Sequence, residues 1–484
     1  MTKDLKVVKN FIGGKFEESE TPTISVYSPL NGEKIGETYL SGMSELDKAV
    51  SKAKEAQVEW GNRTNKKRSE VLYNYRNLLI KYRDELADLN TLENGKSLNE
   101  SYGGIDKAIE LTEFACSIPQ KVSGEIQEVS NGVVCREEKR PLGVVASITP
   151  FNFPVMCPHW TVPNAIALGN AIILKPSELT PLCAAKMAEM WKEADLPDGI
   201  FSVVNGAKDI VEAICDHKDI KAISFVGSSP VAEIVYKRGC GNLKKVMALG
   251  GAKNHLIVTP DAHPEMAASD ILASSVGMSG QRCMAASVLI AVGESNHIIN
   301  KLVEEASNVK LGVDLPPLIT KEAGEKIANY LADAEAKGAK ILVDGRKFEY
   351  EGNGYYFGPS VIDWRGTDHK MGAEEIFGPT LEILGADSIE EAIEIQNESP
   401  YGNASSIFTQ NGRIADETLK GVDAGMLGVN IGVPVPREPF SFGGTKASKY
   451  GHGDITGKHS IEFWTVLTKI TTKWNPANKT DWMS

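Results

Sequence analysis

The residue best placed for covalent chemistry is Cys283, in the run Gly277-Met278-Ser279-Gly280-Gln281-Arg282-Cys283-Met284-Ala285. A glycine-bearing turn precedes it and a helical stretch follows, a setting that aims an amide N–H and a thiol at one point. A lone cysteine is more often a small core residue, so the turn alone decides nothing. Two other segments bear on the question. Thr149-Pro150-Phe151-Asn152-Phe153-Pro154 follows an apolar run and presents an amide able to donate to an oxyanion, although a single Asn there also serves as an ordinary turn residue. Leu174-Lys175-Pro176-Ser177-Glu178 closes the next apolar run with a base and an acid three positions apart. Such a pair suits the two hydroxyls of a ribose; without a ligand it is a solvated loop.

The elements that must carry these residues can be read from periodicity. From Leu46 to Asn99, apolar residues recur at three- and four-residue steps, which predicts two or three amphipathic helices. From Gly132 the pattern changes to short apolar runs: Gly143–Ile148, Ala171–Leu174, Phe201–Val204 and Ala222–Val226, separated by helical stretches such as Leu182–Ala194 and Ala207–Asp216. Strand and helix in alternation predict a parallel, doubly wound sheet. A second such series starts near His255–Val258 and includes Lys340–Val343 and Gly428–Asn430. Two α/β layers imply a cleft between them. The alternating tail from Phe463 to Trp474 reads as a strand with little of its own domain to pair with, either for subunit association or as a plain edge strand.

At 484 residues the chain needs two or three domains. Its 52 basic and 64 acidic side chains give −12, which argues against nucleic acid or anionic membrane as partners, so an anionic ligand must be met by local cations. The charged segment Met1 to Asn10 is no signal peptide, and no apolar run is long enough to span a bilayer, so a cytoplasmic location is expected. The seven cysteines form no CxxC pair or metal-ligand cluster and read as free thiols; no metal is expected.

Taken in order, these segments resemble the aldehyde dehydrogenase superfamily, as do Phe225-Val226-Gly227-Ser228, Gly250-Gly251-Ala252-Lys253-Asn254, Glu375-Ile376-Phe377-Gly378-Pro379 and Phe440-Ser441-Phe442-Gly443-Gly444. The likeness covers nearly the whole chain. It implies an α/β fold of two doubly wound domains, one for cofactor and one for catalysis, with a small β oligomerisation element. The spans implied are 1–118 and 142–251 for NAD, 252–447 for catalysis, and 119–141 with 448–484 for assembly as a homo-oligomer, a dimer of dimers. The chain has no Gly-x-Gly-x-x-Gly, which counts against an ordinary dinucleotide fold, but this superfamily's variant dispenses with it.

The resemblance also assigns roles. Cys283 attacks the aldehyde to give a thiohemiacetal, and Asn152 with the Cys283 N–H forms the oxyanion hole. Thr149, Pro150, Phe151, Lys175, Ser177, Glu178, Gly206, Gly227, Ser228, Leu249 and Gly250 surround NAD, Glu178 disfavouring a 2′-phosphate and Ser228 meeting the pyrophosphate at a helix start. Glu375 and Phe377 hold the nicotinamide end. Lys107, Phe153, Arg282, Arg437 and Phe442 face the substrate.

Hydrolytic members carry a glutamate where this chain has Leu249, and Val466 replaces a second. Neither accepts a proton, so water attack on a thioacyl enzyme is expected to be slow and the thiol of coenzyme A becomes the better acceptor. These departures, with the motifs around Asn152, Cys283 and Asn254, resemble the methylmalonate-semialdehyde dehydrogenase branch. Its members are CoA-acylating and decarboxylating, and Arg282 would face the substrate carboxylate. Three features depart from that branch: Lys107 stands where it carries an arginine, Arg437 adds a cation, and the run Leu311–Leu318 is short. Succinate semialdehyde, malonate semialdehyde or sulfolactaldehyde therefore stay open as substrates, with an acid as the alternative product. Two rival classes fit the sequence less well. A cofactor-free cysteine acyltransferase or hydrolase lacks a histidine spaced to serve Cys283, and no Gly-x-Ser-x-Gly elbow is present. A non-catalytic descendant fits poorly with intact Cys283, Asn152, Lys175 and Glu375.

Overall fold

The computed structural model describes residues 7–367 and 374–474. The apolar runs Val144–Ile148, Ala171–Lys175, Phe201–Val203, Ile220–Val226 and Lys245–Leu249 lie side by side as parallel strands of an eight-stranded sheet. Ala171–Lys175 is buried at every position, which is why it reads as a continuous apolar run rather than an alternation. Helices Met43–Asn62, Leu182–Glu193 and Ser229–Gly241 pack on this sheet. The periodicity expected over 46–99 resolves into Met43–Asn62, Asn65–Lys81 and Arg83–Asn94, and a further helix, Leu98–Cys116, begins at its end. Ser97 starts that helix with a capping box: its Oγ accepts the Glu100 N–H at 3.2 Å and its own N–H donates to Glu100 Oε2 at 3.1 Å.

The second sheet has seven strands, six of them parallel, and all of them fall between Asn254 and Val429. Its two faces follow from period-two alternation. Leu256, Val258, Leu289 and Ile383 enter one core with helices Pro264–Val276 and Asn296–Ser307. Ile257, Val288, Ile290 and Leu384 enter the opposite core with Lys321–Ala336 and Ile389–Glu398. Doubly wound α/β architecture is thus present twice, as the resemblance implied.

One expectation is met, one is corrected and one feature is added. The tail strand Thr465–Lys473 is an edge strand, one of the two readings given for it: all nine of its residues pair antiparallel with Val133–Pro141, which in turn pairs with Ile126–Ser130. Ile126, Val129, Val466 and Leu467 leave apolar side chains exposed on this three-stranded sheet. The boundary at 448 is too early. Strand Lys449–Tyr450 closes the edge of the eight-stranded sheet against Ala248 and Leu249, and Ile455, Ile461, Phe463 and Trp464 belong to that sheet's core. Finally, Asn10–Ile12 and Lys15–Glu17 form a hairpin that extends the same sheet at its other edge, a feature not read from the sequence. The ends of the expected spans, residues 1–6 and 475–484, lie outside the described residues.

Candidate active site

Cys283 follows a turn, Gly277–Gly280, in which Met278 and Ser279 adopt φ +53 and Gly280 φ +68. Left-handed backbone costs a non-glycine residue on the order of 1 kcal/mol or more, so the surroundings must hold it there. They do so at several points. Glu100 Oε1 accepts the Met278 N–H at 2.8 Å, Ser279 Oγ donates to the Pro316 carbonyl, and Gln281 Oε1 accepts the Ile319 N–H at 2.9 Å. Asn152 Nδ2 donates to the Gln281 carbonyl at 2.9 Å, which ties the strand-end segment 149–154 to the cysteine turn. At residue 283 itself, the carbonyl accepts from Asn254 Nδ2 at 2.8 Å and Asn403 Nδ2 at 2.9 Å. Gly280 permits the closest approach: a Cβ there would lie 2.0 Å from the Gly378 carbonyl oxygen.

Two hollows reach this turn, and a third lies at the neighbouring strand ends. The first, of about 710 Å³, is a tunnel lined by Phe153, Trp160, Arg282, Cys283 and Phe442, with Lys107 and Arg437 also in its lining. The second is small and reaches Cys283 together with Arg282, Glu375 and Phe377. The third, a groove of about 530 Å³ at the strand ends of the first sheet, is lined by Thr149, Pro150, Phe151, Lys175, Ser177 and Glu178, and by Gly227 and Ser228 at the start of helix Ser229–Gly241. Phe151 and Phe377 touch edge to face, ring centres 5.9 Å apart, and so join the groove to the small hollow beside the thiol.

The segment carrying Glu375 and Phe377 is anchored from the opposite strand end. Ala252 N–H donates to Glu375 Oε1 at 2.9 Å, and the buried Lys253 ammonium donates to the Glu374 carbonyl and to Glu382 Oε1, each at 2.9 Å. Glu382 also receives Tyr330 Oη–H at 2.8 Å and the Trp364 indole N–H at 3.0 Å, which compensates its burial. Gly251 leaves space for the carboxylate, since a Cβ there would meet Glu375 Oε2 at 2.3 Å.

Burial pushes the Cys283 thiol up to about 12 and the charge of Glu375 adds to the rise, while Arg282 and the N–H groups of Cys283 and Met284 oppose it. Glu375 is itself pushed up to about 7 by burial, opposed by the Ala252 N–H and the charges of Lys326 and Lys253. Burial lowers the Arg282 guanidinium from its usual value, but an arginine stays charged at neutral pH. Its Nη2 donates to the carbonyls of Ala273 and Ser274 at 2.6 and 2.8 Å, whereas its Nε is buried with no partner.

The sequence profile of the aldehyde dehydrogenase family matches residues 16–470. The chain belongs to the aldehyde dehydrogenase family. It is 43% identical over 484 residues to malonate-semialdehyde dehydrogenase 2 of Geobacillus kaustophilus (strain HTA426), covering 98% of this chain and 100% of that protein. Among solved structures it is similar to methylmalonate-semialdehyde dehydrogenase from Oceanimonas doudoroffii, with TM-score 0.94, 37% identity, and 98% and 99% of the two chains covered. A Sinorhizobium meliloti 1021 protein described as a methylmalonate-semialdehyde dehydrogenase, solved with NAD, gives TM-score 0.96 and 38% identity over 98% and 99% of the chains.

Within this aldehyde dehydrogenase the expected residues separate into groups. Those expected for the substrate, Lys107, Phe153, Arg282, Arg437 and Phe442, share the tunnel with Cys283. Lys107 is nevertheless corrected as a free anion contact, because its ammonium lies 2.5 Å from Glu438 Oε2. Arg437 is mostly exposed and 3.9 Å from Glu110. Three expected groove residues are also corrected. Gly206 is buried against Ser41 and Ile210 and only shapes the path to Ala207 and Lys208, which do line the groove. Leu249 is in the hydrophobic core, and the Gly250 N–H is taken by the Ser448 carbonyl. Val466 sits opposite Arg140 on the three-stranded sheet.

Several positions that line or brace the site were missed. Asn403 carried no signal, being an isolated Asn between strands, and Glu438 stands beside Arg437 with nothing in its spacing to mark it. Trp160 and Met156 line the tunnel from a short helical stretch that follows Asn152, where proximity to the motif was the available clue.

Proposed function

We propose that this enzyme oxidises a short anionic semialdehyde, malonate or methylmalonate semialdehyde, with NAD, and passes the acyl group to coenzyme A with loss of CO₂. One observation carries the reading. Cys283 and Arg282 line both the tunnel and the small hollow beside Phe377, so one thiol faces the substrate side and the cofactor side, next to a guanidinium that makes no ion pair among the described residues and whose buried Nε has no partner.

The groove suits a dinucleotide. It is largely apolar, ends at a helix start, and holds Lys175 Nζ 2.9 Å from Glu178 Oε2 at a strand end, so this acid and base present themselves to a ribose edge. The negative charge of Glu178 disfavours a 2′-phosphate there, and the cofactor is NAD. When bound, NAD supplies the acceptor for the aldehyde's hydrogen.

The chain's own residues do the rest. Arg282 holds the carboxylate, which places the carbonyl carbon over Cys283. Cys283 gives up its thiol proton to solvent, its Sγ attacks that carbon as the thiolate, and the carbonyl oxygen becomes an alkoxide held by the second N–H of Asn152 and by the Cys283 N–H. Loss of the aldehyde C–H leaves a thioacyl enzyme. Leu249 cannot act as a base, so the thiol of coenzyme A displaces Cys283 faster than water does. The carboxylate leaves as CO₂, and a proton takes its place on the carbon. In sum, malonate semialdehyde, CoA and NAD⁺ give acetyl-CoA, CO₂ and NADH.

A panel of malonate, methylmalonate and succinate semialdehydes and sulfolactaldehyde, assayed for NADH with and without CoA, tests this. The expected result is fastest turnover with a three-carbon semialdehyde and a marked rise on adding CoA. Rates indifferent to CoA contradict the acylating step, and preference for sulfolactaldehyde or succinate semialdehyde contradicts the substrate assignment.

A further inference from the structure

The tunnel mouth holds cations that its own acids neutralise. Lys107 Nζ lies 2.5 Å from Glu438 Oε2 and 3.3 Å from Glu110 Oε2, and Arg437 Nη1 lies 3.9 Å from Glu110 Oε2. All four residues line the cavity that reaches Cys283. Asp106, also in the lining, is occupied by Arg83 through two contacts of 2.6 and 2.7 Å. The charges at the mouth therefore cancel. Arg282, one residue from the thiol, touches only carbonyl oxygens and is in none of the ion pairs among the described residues.

The Lys107–Glu438 pair is sheltered, with side-chain exposures of 19% and 9%. Its attraction is screened less than that of a surface pair, and its short contact is a charge-assisted hydrogen bond. A ligand carboxylate seeking Lys107 must compete with a fixed carboxylate already in place. A carboxylate reaching Arg282 meets a guanidinium whose buried Nε is without a partner.

We infer that Glu438 sets the permitted length of the substrate. By occupying Lys107 it denies a second anchoring point at the mouth, so that only an aldehyde short enough to span Cys283 and Arg282 is held productively. The inference deepens, and rests on, the anionic-semialdehyde reading above. On this reading the Lys107 cation is a tether for Glu438 and not a substrate contact.

The test compares kcat/KM for malonate semialdehyde with that for succinate and glutarate semialdehydes in the wild type, Glu438→Gln, Glu438→Ala and the double variant Glu438→Gln/Lys107→Met. Relieving Lys107 of its nearer carboxylate, with only the longer 3.3 Å contact to Glu110 left, should raise the long-to-short ratio about tenfold or more, the size of one hydrogen bond to a charged group. The double variant should return the ratio to the wild-type value. Glu438→Ala, which leaves no amide to replace the carboxylate, must shift the ratio in the same direction. An unmoved ratio in both active single variants overturns the inference, as does a shift that persists without Lys107. A wild type inert toward every carboxylated aldehyde yet active on neutral ones removes the substrate reading beneath it, an outcome distinct from an unmoved ratio.

Discussion

Cys283→Ala is expected to show no detectable aldehyde oxidation while binding NAD as the wild type does. The fold uses residue 283 through its main chain: Asn254 and Asn403 both bond the carbonyl, and neither contact involves the sulfur. The side chain is small and only partly buried, so its loss leaves the turn intact and removes one capability, that of forming a carbon–sulfur bond. The six other cysteines do not replace it: Cys116, Cys157, Cys183 and Cys215 are buried, Cys135 lies on the three-stranded sheet, and Cys240 lies on helix Ser229–Gly241. NADH formation followed by absorbance, beside NAD titration by quenching of tryptophan fluorescence, checks both halves. Residual turnover would show that another group is the nucleophile. Loss of NAD binding would show that residue 283 is structural.

Asn152→Ala should lower kcat by about 10²–10³, the usual effect of losing one oxyanion donor. Because Asn152 also braces the cysteine turn through the Gln281 carbonyl, part of the effect would be positional. Leaving that buried carbonyl unpartnered costs about 1–3 kcal/mol. Alkylation of Cys283 by iodoacetamide, which needs no oxyanion hole, separates the two. It should stay close to the wild-type rate if the missing donor dominates, and change in parallel with kcat if the turn has moved. Asn152→Asp keeps the volume without the N–H and should lose a similar factor; activity within tenfold of the wild type in both variants contradicts the oxyanion role.

The central parallel strands were legible because burial on both faces forces unbroken apolar runs such as Ala171-Ile172-Ile173-Leu174, and Gly–Pro punctuation marks their ends. The motif cysteine, amide and groove residues were legible for a different reason: chemistry constrains residue type and order more tightly than packing does. Pairings between distant parts of the chain left no local trace. Lys449–Tyr450 is a two-residue edge strand whose only purpose is its partner, and Thr465–Lys473 alternated like a strand without revealing that Val133–Pro141 would receive it. The pair that cancels Lys107 is separated by 331 positions, so the sequence presented two charges and only the fold showed them in contact. The helical region near the start was underestimated because Ser97 and Glu100, a readable capping box, open a helix at the point where the periodic stretch was taken to end.

The account depends on a carbon–sulfur bond at Cys283 outlasting the hydrogen transfer, because nothing at Leu249 can hasten its hydrolysis. Rapid mixing of the enzyme with NAD and malonate semialdehyde in the absence of CoA, followed by acid quench and peptide mass analysis, measures this directly. A burst of NADH stoichiometric with subunits, with an acyl adduct on the peptide containing Cys283 that disappears when CoA is added, is the predicted result. NADH produced steadily with no burst and no adduct at Cys283 would contradict it.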